Sequence, residues 1–112
     1  MPSDPLSAVF AALASEPRRR ILDVLRKSPG CNVRHVASHF DTSRIAVQKH
    51  LAVLEAAGLV TSLKAGRERR LFFNAVPIQE IHERWTTEYS ALWAARMTDI
   101  KRRVEARRKG RE

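Results

Sequence analysis

Apolar residues recur at helical spacing along most of the chain. Positions i, i+3, i+4 and i+7 lie on one face of an α-helix, so each such stripe predicts a helix with one buried side. Four stripes of this kind precede residue 58, and the helices that they predict are short. Their apolar positions are Leu6, Val9, Phe10 and Leu13, then Ile21, Leu22 and Leu25, then Val33, Val36, Ala37 and Phe40, and finally Val47, Leu51 and Leu54.

Capping residues indicate where these helices begin and end. Asp4, Ser15 and Ser43 each precede a stripe, and their side-chain oxygens can accept hydrogen bonds from the free N–H groups of a first helical turn. Pro29-Gly30 and Gly58 follow stripes, and glycine readily adopts the backbone conformation that ends a helix. The capping residues therefore agree with the apolar pattern.

The pattern changes to strand-like spacing after the fourth stripe. Residues 59–64 and 69–73 are the two convincing strand-like runs, and Ala65-Gly66-Arg67-Glu68 joins them. Two such runs around a short glycine-containing segment predict a β-hairpin.

A fifth, long helix is predicted after Pro77, from about Ile78 to about Arg108. At about 1.5 Å per residue it would be roughly 45 Å long, more than a domain of this size covers with its own core. The predicted fold class is mainly α with one small β-hairpin, in the order four helices, two strands and a fifth helix.

The composition indicates one folded and strongly basic domain. The chain has 112 residues, of which 44% are hydrophobic, and it carries a formal net charge of +9 with a sequence pI of about 11.0. This charge favours a polyanionic partner such as nucleic acid. Within the single domain we expect a compact core at residues 4–76, a long helix at 77–106 and a flexible basic tail at 107–112.

Cysteine usage and the N-terminal residues predict a cytoplasmic protein. Cys31 is the single cysteine, which excludes an internal disulfide and fits a reducing compartment. No apolar run approaches the ~18 residues of a membrane span, and the N-terminal residues lack the basic start of a signal peptide. We therefore expect no membrane partner.

The third and fourth predicted helices have the spacing of a helix-turn-helix, with Asp41-Thr42 in the tight turn between them. The second helix of the motif, residues 43–57, has one apolar face and one polar face. Arg44 and Gln48 on the polar face carry side chains that read guanine and adenine edges, so we predict that they contact DNA bases.

Three further residues of this helix are predicted to bind the DNA backbone. Ser43 lies at the positive end of the helix dipole and is placed to hold a phosphate. Lys49 and His50 could reach the backbone as well. For His50 an equally good interpretation is half-burial against the first helix of the motif.

A basic hairpin directly follows this helix. The wing, residues 60–73, carries the cations Lys64, Arg67, Arg69 and Arg70. Charge runs are usually solvated, but a hairpin beside a recognition helix is where a wing contacts phosphate or the minor groove. Lys64, Arg67 and Arg69 are therefore predicted to bind DNA, with Arg67 at the tip as the first candidate. The pattern as a whole predicts a winged helix-turn-helix.

Three segments of the chain resemble the ArsR/SmtB family of bacterial winged-helix repressors. They are SEPRRRILDVL, SRIAVQKHLAVLEAAGLV and AGRERRLFF, and the stretch Lys49–Val60 is the strongest part. The similarity extends from about residue 4 to about residue 105. The chain departs from the family pattern at Gln48, where serine is common, and at Asp41-Thr42, which replaces a common Gly-Leu turn.

The resemblance raises the question of a metal sensor, because many members of this family release DNA when a metal ion binds. The family's Cys-x-Cys-Asp ligand set falls on Asn32, Arg34 and His35 in this chain, and its second ligand set falls on Glu80-x-His82, with no histidine further along. The resemblance therefore implies the subgroup without the usual metal ligands, and we predict no metal site and no cofactor.

A different metal site stays as an alternative. Cys31, His35 and His39 recur every four residues, so they could line one helical face as zinc ligands of a metal-responsive repressor. Solvated polar residues also belong on such a face, and three ligands on a single exposed helix make a weak site. Oxidant sensing by Cys31 is a further alternative.

Large apolar residues form a stripe along the last helix, with an aromatic ring at every fourth position from Trp85 to Trp93. Aromatic anchors of this kind are typical of protein interfaces, although a ligand cage is an alternative. Because one core does not cover so long a helix, we predict a homodimer, which would bind an inverted repeat with half-sites about 10 bp apart. The predicted interface residues are Leu6, Phe10, Trp85, Tyr89, Leu92, Trp93, Met97 and Ile100.

The predicted function is sequence-specific transcriptional regulation, as a repressor that binds a double-stranded DNA operator. No nucleophile–base pair, Gly-rich phosphate loop or H-E-x-x-H pattern indicates an enzyme. A less specific architectural or RNA-binding protein and a winged helix used for protein contacts are the alternatives, and the basic wing argues against the second. The sequence leaves the operator, the regulated genes and any inducer undetermined.

Overall fold

Residues 4–110 fold into five helices and one antiparallel hairpin. The computed structural model describes residues 4–110, apart from the side chains of Thr87 and Ser90. The order of the elements, four helices, the hairpin and a fifth helix, confirms the predicted winged helix-turn-helix fold class. The chain divides into two compact units, Met1–Ile78 and Gln79–Glu112. The elements are α1 (Pro5–Leu13), α2 (Glu16–Lys27), α3 (Val33–Ala37), α4 (Arg44–Ala56), β1 (Val60–Ala65), β2 (Glu68–Phe73) and α5 (Val76–Gly110).

The predicted capping residues lie at the helix starts. Asp4 caps α1, Ser15 caps α2 and Ser43 caps α4. Each side chain accepts a hydrogen bond from a backbone N–H of its own first turn, at 3.4, 3.4 and 3.1 Å respectively. Gly58 follows α4 with a φ of +79°, a conformation that residues with a side chain rarely adopt. These predictions are confirmed.

Helix α3 is shorter than its apolar stripe. The stripe extends to Phe40, whereas the helix ends at Ala37. The hydroxyl of Ser38 donates to the backbone oxygen of His35 at 2.6 Å, and bonds of this kind compete with further helical hydrogen bonding. At the other end, the side chain of Asn32 accepts from the N–H of His35 at 2.9 Å and starts the helix.

Two arginines of α2 hold the C-terminal end of α1. Arg18 donates from Nε to the backbone oxygen of Ala12 at 2.8 Å and from Nη2 to that of Ala11 at 3.0 Å. Arg19 donates from Nη1 to the backbone oxygen of Leu13 at 2.7 Å. The bonds to Ala12 and Leu13 satisfy carbonyl groups of the last helical turn, and the positive charges interact favourably with the negative end of the helix dipole.

The core of the first unit consists of the predicted stripes and the base of the hairpin. Leu54 on α4, Leu59 after it and Leu71 on β2 are 0%, 0% and 1% exposed. Among the described residues no polar or charged side chain is buried, so apolar packing stabilises this unit. The buried residues are Val9, Ala12, Ile21, Leu22, Leu25, Val36, Val47, Leu51, Leu54, Leu59, Val60 and Leu71.

The hairpin turns at two residues, Gly66-Arg67. Ala65 pairs with Glu68 across the turn, and Gly66 has a φ of +64°. A glycine at the first central position is what a type II′ hairpin turn requires. The turn leaves the Arg67 side chain exposed at the tip of the wing.

The base of the hairpin is fixed on both edges of β2. Leu71 pairs with Ser62 of β1 on one edge and with Cys31, before α3, on the other. The N–H of Leu71 donates to the backbone oxygen of Cys31 at 2.9 Å, and the N–H of Gly30 donates to that of Leu71 at 2.8 Å. The wing is therefore anchored at its base, whereas its tip extends into solvent.

Helix α5 comprises 35 residues, which corresponds to about 52 Å. The helix continues through residues 107–110, where a flexible tail was expected, and residues 111–112 lie outside the described range. Arg107, Arg108 and Lys109 occupy the last turn, where positive charges interact favourably with the helix dipole. Within the described part of the chain, no helix combines the length and apolarity needed to cross a membrane.

Candidate nucleic-acid interface

Helix α4 has one face in the core and one face in solvent. Its three buried residues come from the predicted stripe. Arg44, Gln48 and Lys49 are exposed on the other face. Ile45 lies among them in the first turn with 65% of its surface exposed, and the sequence reasoning gave this residue no role.

Ser43 is engaged as the cap of α4. Its Oγ accepts a hydrogen bond from the N–H of Ala46 at 3.1 Å. A hydroxyl that accepts one bond can still donate its own hydrogen, and the N-terminal end of a helix attracts anions. Capping and the predicted phosphate contact are therefore compatible at this residue.

His50 is half-buried on the flank of α4. Its Nδ1 lies 3.4 Å from Nη1 of Arg18. Because a guanidinium group only donates, Nδ1 must accept, and the ring proton in this arrangement is on Nε2. The half-burial agrees with the alternative interpretation of this residue, although its hydrogen-bond partner lies on α2 and not on α3.

The four cations of the wing lie on different faces of the hairpin. Lys64 and Arg69 are direct partners in the β-ladder, and so are Leu63 and Arg70. Since successive residues of a strand point to opposite faces, Lys64 and Arg69 share one face and Arg70 lies on the other. Arg67 occupies the exposed turn.

Two side-chain links connect the wing to the helices. Arg69 donates from Nη2 to Oε1 of Glu55 on α4 at 2.6 Å and to Oγ of Ser62 on β1 at 2.8 Å. Asn32, before α3, donates from Nδ2 to Oε1 of Glu68 at 3.3 Å. One link therefore joins the wing to α4, and the other joins it to the start of α3.

A cleft of about 470 Å³ lies between α4 and the wing. Leu51 and Leu71 form part of its floor, and Gln48 lines its α4 side. Both predicted base-contacting residues of α4 thus line the same cleft as the wing tip. The cleft is also lined by four arginines and two glutamates, namely Arg34, Arg44, Arg67, Arg69, Glu55 and Glu68.

The cysteine and histidines considered as metal ligands do not line one helical face. Cys31 precedes α3 and His39 follows it, while the rings of His35 and His39 lie 5.0 Å apart between centroids. Within the described residues, no group of three or more potential ligands is close enough to hold a metal ion.

Cys31 is half-buried beside β2. Desolvation by burial raises the pKa of its thiol, and a backbone hydrogen bond opposes this shift only in part. The thiolate, which is the reactive form, is therefore disfavoured at neutral pH. This argues against oxidant sensing by this residue.

The predicted dimer-interface residues lie on α1 and α5. Leu6 is half-buried and Phe10 is exposed on α1. Among the side chains that the structure describes on α5, none is buried, and the rings of Tyr89 and Trp93 stack with centroids 6.1 Å apart. The interface candidates on α5 are each about half exposed, and they are Trp85, Tyr89, Leu92, Trp93, Met97 and Ile100.

Several contacts of the interface were missed by the sequence reasoning. Glu55, Ser62 and the Asn32–Glu68 link were not predicted, and neither was a place for Arg34 in the cleft. The sequence contained one indication of the Glu55 contact, because Glu55 is an isolated acidic residue on α4, whose other charged side chains are cationic.

The family model that matches this chain is that of the MarR family, over residues 15–71, from the start of α2 into β2. An uncharacterized HTH-type transcriptional regulator of Bacillus subtilis (strain 168), YuzN, is 39% identical over 84 residues, which are 70% of this chain and 91% of that protein. The transcriptional repressor SdpR of the same organism is 28% identical over 75 residues, 67% of this chain and 82% of that protein.

A solved structure extends these similarities to the fold. The ArsR-like transcriptional regulator from Rhodococcus sp. RHA1 is 36% identical and has a TM-score of 0.65, with 88% of this chain and 91% of that chain covered. The residues that the family model matches contain the helix-turn-helix and most of the wing. The chain therefore belongs to the MarR family, and it is a DNA-binding transcriptional regulator.

Proposed function

We propose that the protein is a homodimeric cytoplasmic repressor that binds an inverted-repeat operator through α4 and the wing. The observation that carries the proposal is the exposed polar face of α4 beside a cleft lined by four arginines. A helix of this kind reads base edges from the major groove, while cationic side chains beside it hold phosphates. The relative SdpR is a transcriptional repressor, which supports repression over activation.

Within this proposal, five of the predicted residues have roles that their positions support. Arg44 and Gln48 line the cleft side of α4 and contact base edges. Ser43 and Lys49 hold backbone phosphates at the start and on the outer face of the helix. Arg67, at the tip of the wing, reaches a flanking phosphate or the minor groove.

We further propose that the protein is an ArsR/SmtB-type regulator without the usual metal ligands. The 36% identity to an ArsR-like regulator supports it. Asn32 and Arg34, at positions of the family's metal ligands, line the cleft beside α4. In this chain these positions therefore belong to the surface that we propose to bind DNA. Any inducer would then belong to a chemical class other than metal ions.

The exposed apolar stripe of α5 supports the proposed homodimer. Half-exposed Trp93 and Tyr89 stack on each other, and the stripe continues through Met97 to Ile100. Contiguous exposed apolar surface of this kind marks a protein interface, and a second copy of α5 offers a self-complementary partner. Pairing would place two α4 helices on successive turns of one DNA face.

Two substitutions test the proposed DNA contacts. We expect Gln48→Ala to weaken binding to the selected duplex, the sequence enriched by binding from random DNA, by roughly tenfold. Affinity for random DNA should stay nearly unchanged, because one base contact is lost.

We expect Arg67→Ala to weaken binding to both the selected duplex and random DNA. The slope of log affinity against log salt concentration should become shallower by about 0.9, because one phosphate contact is lost. Fluorescence anisotropy over a range of salt concentrations measures both effects.

The matched control is Arg26→Ala, which removes an exposed cation of α2 outside the cleft. It should leave both affinities close to those of the parent protein. Equal affinity of the parent for the selected duplex and for random DNA would contradict the proposal and favour the architectural alternative.

A further inference from the structure

The strongest unassigned feature is the ion pair between α4 and the wing. Glu55 and Arg69 have side-chain exposures of 29% and 54%, and their charged atoms lie 2.6 Å apart. The same Nη2 of Arg69 also donates to Ser62. One guanidinium nitrogen therefore links α4 to both strands of the hairpin.

This link lies where the wing needs support. The base of the hairpin is fixed by Leu71 in the core and by its pairing with Cys31, whereas the tip is exposed. Between base and tip, the cleft separates the wing from α4. The Glu55–Arg69 pair spans this gap.

We propose that Glu55 and Arg69 are positioning residues that set the distance between α4 and the wing tip, and that Arg69 does not bind phosphate. The proposal rests on the proposed DNA binding and changes the role predicted for Arg69. A short, charge-assisted bond with a second acceptor holds the guanidinium in one orientation. Arg67 is then presented at a fixed distance from the base-contacting face of α4.

Glu55→Gln distinguishes this role from simple electrostatics. The substitution removes a negative charge beside a polyanion, so charge alone predicts tighter binding. A positioning role predicts weaker binding to the selected operator duplex, by roughly two- to fivefold, which matches the strength of a well-formed surface ion pair. Arg69→Gln should cause a similar loss, with less than the ~0.9 change in salt dependence that one lost phosphate contact produces.

The double variant Glu55→Gln/Arg69→Gln completes the cycle. We expect it to bind no more weakly than the weaker single variant, because both changes break the same link. The control pair is Asp23→Asn and Arg26→Gln, which removes the charges of a surface ion pair within α2 and should have little effect. Urea unfolding of each variant verifies that it is folded.

The opposite results would overturn the proposal. These are tighter operator binding by Glu55→Gln, or a fall of about 0.9 in the salt dependence of Arg69→Gln. A parent protein that does not discriminate the selected duplex from random DNA would instead refute the proposed function, so the two failures are distinguishable.

A second inference concerns Ile45, the second residue of α4. Its side chain is 65% exposed, and it lies one helical turn before Lys49 on the outward face. The N-terminal residues of a recognition helix are those that reach base edges. An aliphatic side chain at this point has one matching feature in the major groove, the C5-methyl group of thymine.

We infer that Ile45 contacts a thymine methyl group and thereby contributes to operator choice, which again rests on the proposed DNA binding. Replacing each thymine of the selected half-site by deoxyuridine removes only the methyl group. At one position the parent protein should lose about fourfold in affinity, the value expected for one buried methyl-sized group. Ile45→Ala should show no loss at that position.

Val53→Ala provides the control, because Val53 is an exposed β-branched residue of α4 about 12 Å further along the helix than Ile45 and away from its N-terminal end. This variant should retain the deoxyuridine effect of the parent. The inference is refuted if Ile45→Ala keeps that effect, or if no thymine position affects the parent protein while it still discriminates the selected duplex from random DNA.

Discussion

Trp93→Ala should dissociate the proposed dimer and weaken operator binding together. The indole is 52% exposed in the single chain and stacks on Tyr89 at 6.1 Å. Truncating a central aromatic anchor typically costs about 2 kcal/mol or more, or about 30-fold in the dimer dissociation constant. Because two linked half-site contacts become two separate ones, operator affinity should fall by about a hundredfold or more.

Sedimentation velocity at several protein concentrations measures the first effect, and anisotropy on the selected duplex measures the second. Thr98→Ala is the matched control, because this exposed residue of α5 lies away from the apolar stripe and alanine favours the helix. It should remain dimeric. A parent protein that sediments as a monomer at micromolar concentration would contradict the dimer.

Leu54→Ala should destabilise the first unit strongly. Leu54 is 0% exposed on the inner face of α4, and replacing a fully buried leucine by alanine costs about 2–5 kcal/mol. This is a large part of the roughly 5–15 kcal/mol that stabilises a domain. Urea unfolding at a fixed protein concentration measures the loss as a lower midpoint with an unchanged slope.

The neighbouring residue supplies the control for this prediction. Val53 is 41% exposed, so Val53→Ala removes little buried area and also improves helix propensity. Its loss of stability should be below about 1 kcal/mol. Equal losses for the two variants would contradict the assignment of the inner face of α4.

The features that local signals encode could be predicted from the sequence. Asp4, Ser15 and Ser43 cap helices because their oxygens reach N–H groups only two or three residues away. Gly58 and Gly66 take positive φ where the helix ends and the hairpin turns. Each of these signals acts over a few residues, so pattern and structure agree.

The contacts that depend on the meeting of distant segments could not be predicted. Arg69 was interpreted as a phosphate ligand, because the sequence contains no indication that the register of the hairpin brings it to Glu55 on α4. His50 likewise meets Arg18 from a helix 32 residues earlier. In both cases the residue type indicated a polar contact, but the sequence did not identify the partner.

The alternative metal arrangement failed for a local reason. Cys31, His35 and His39 have helical spacing, but Asn32 caps α3 and the helix ends at Ala37. The spacing criterion assumes a continuous helix, and five residues of helix are too few to contain three positions at intervals of four.

Selection of bound sequences from random double-stranded DNA tests whether the protein binds a specific, two-fold symmetric operator. We expect an enriched inverted repeat whose half-sites are about 10 bp apart, one turn of B-DNA, as two symmetry-related α4 helices require. Recovery of sequences with no common pattern would contradict sequence-specific binding. An enriched single site without two-fold symmetry would contradict the proposed homodimer, in which two α4 helices bind two half-sites.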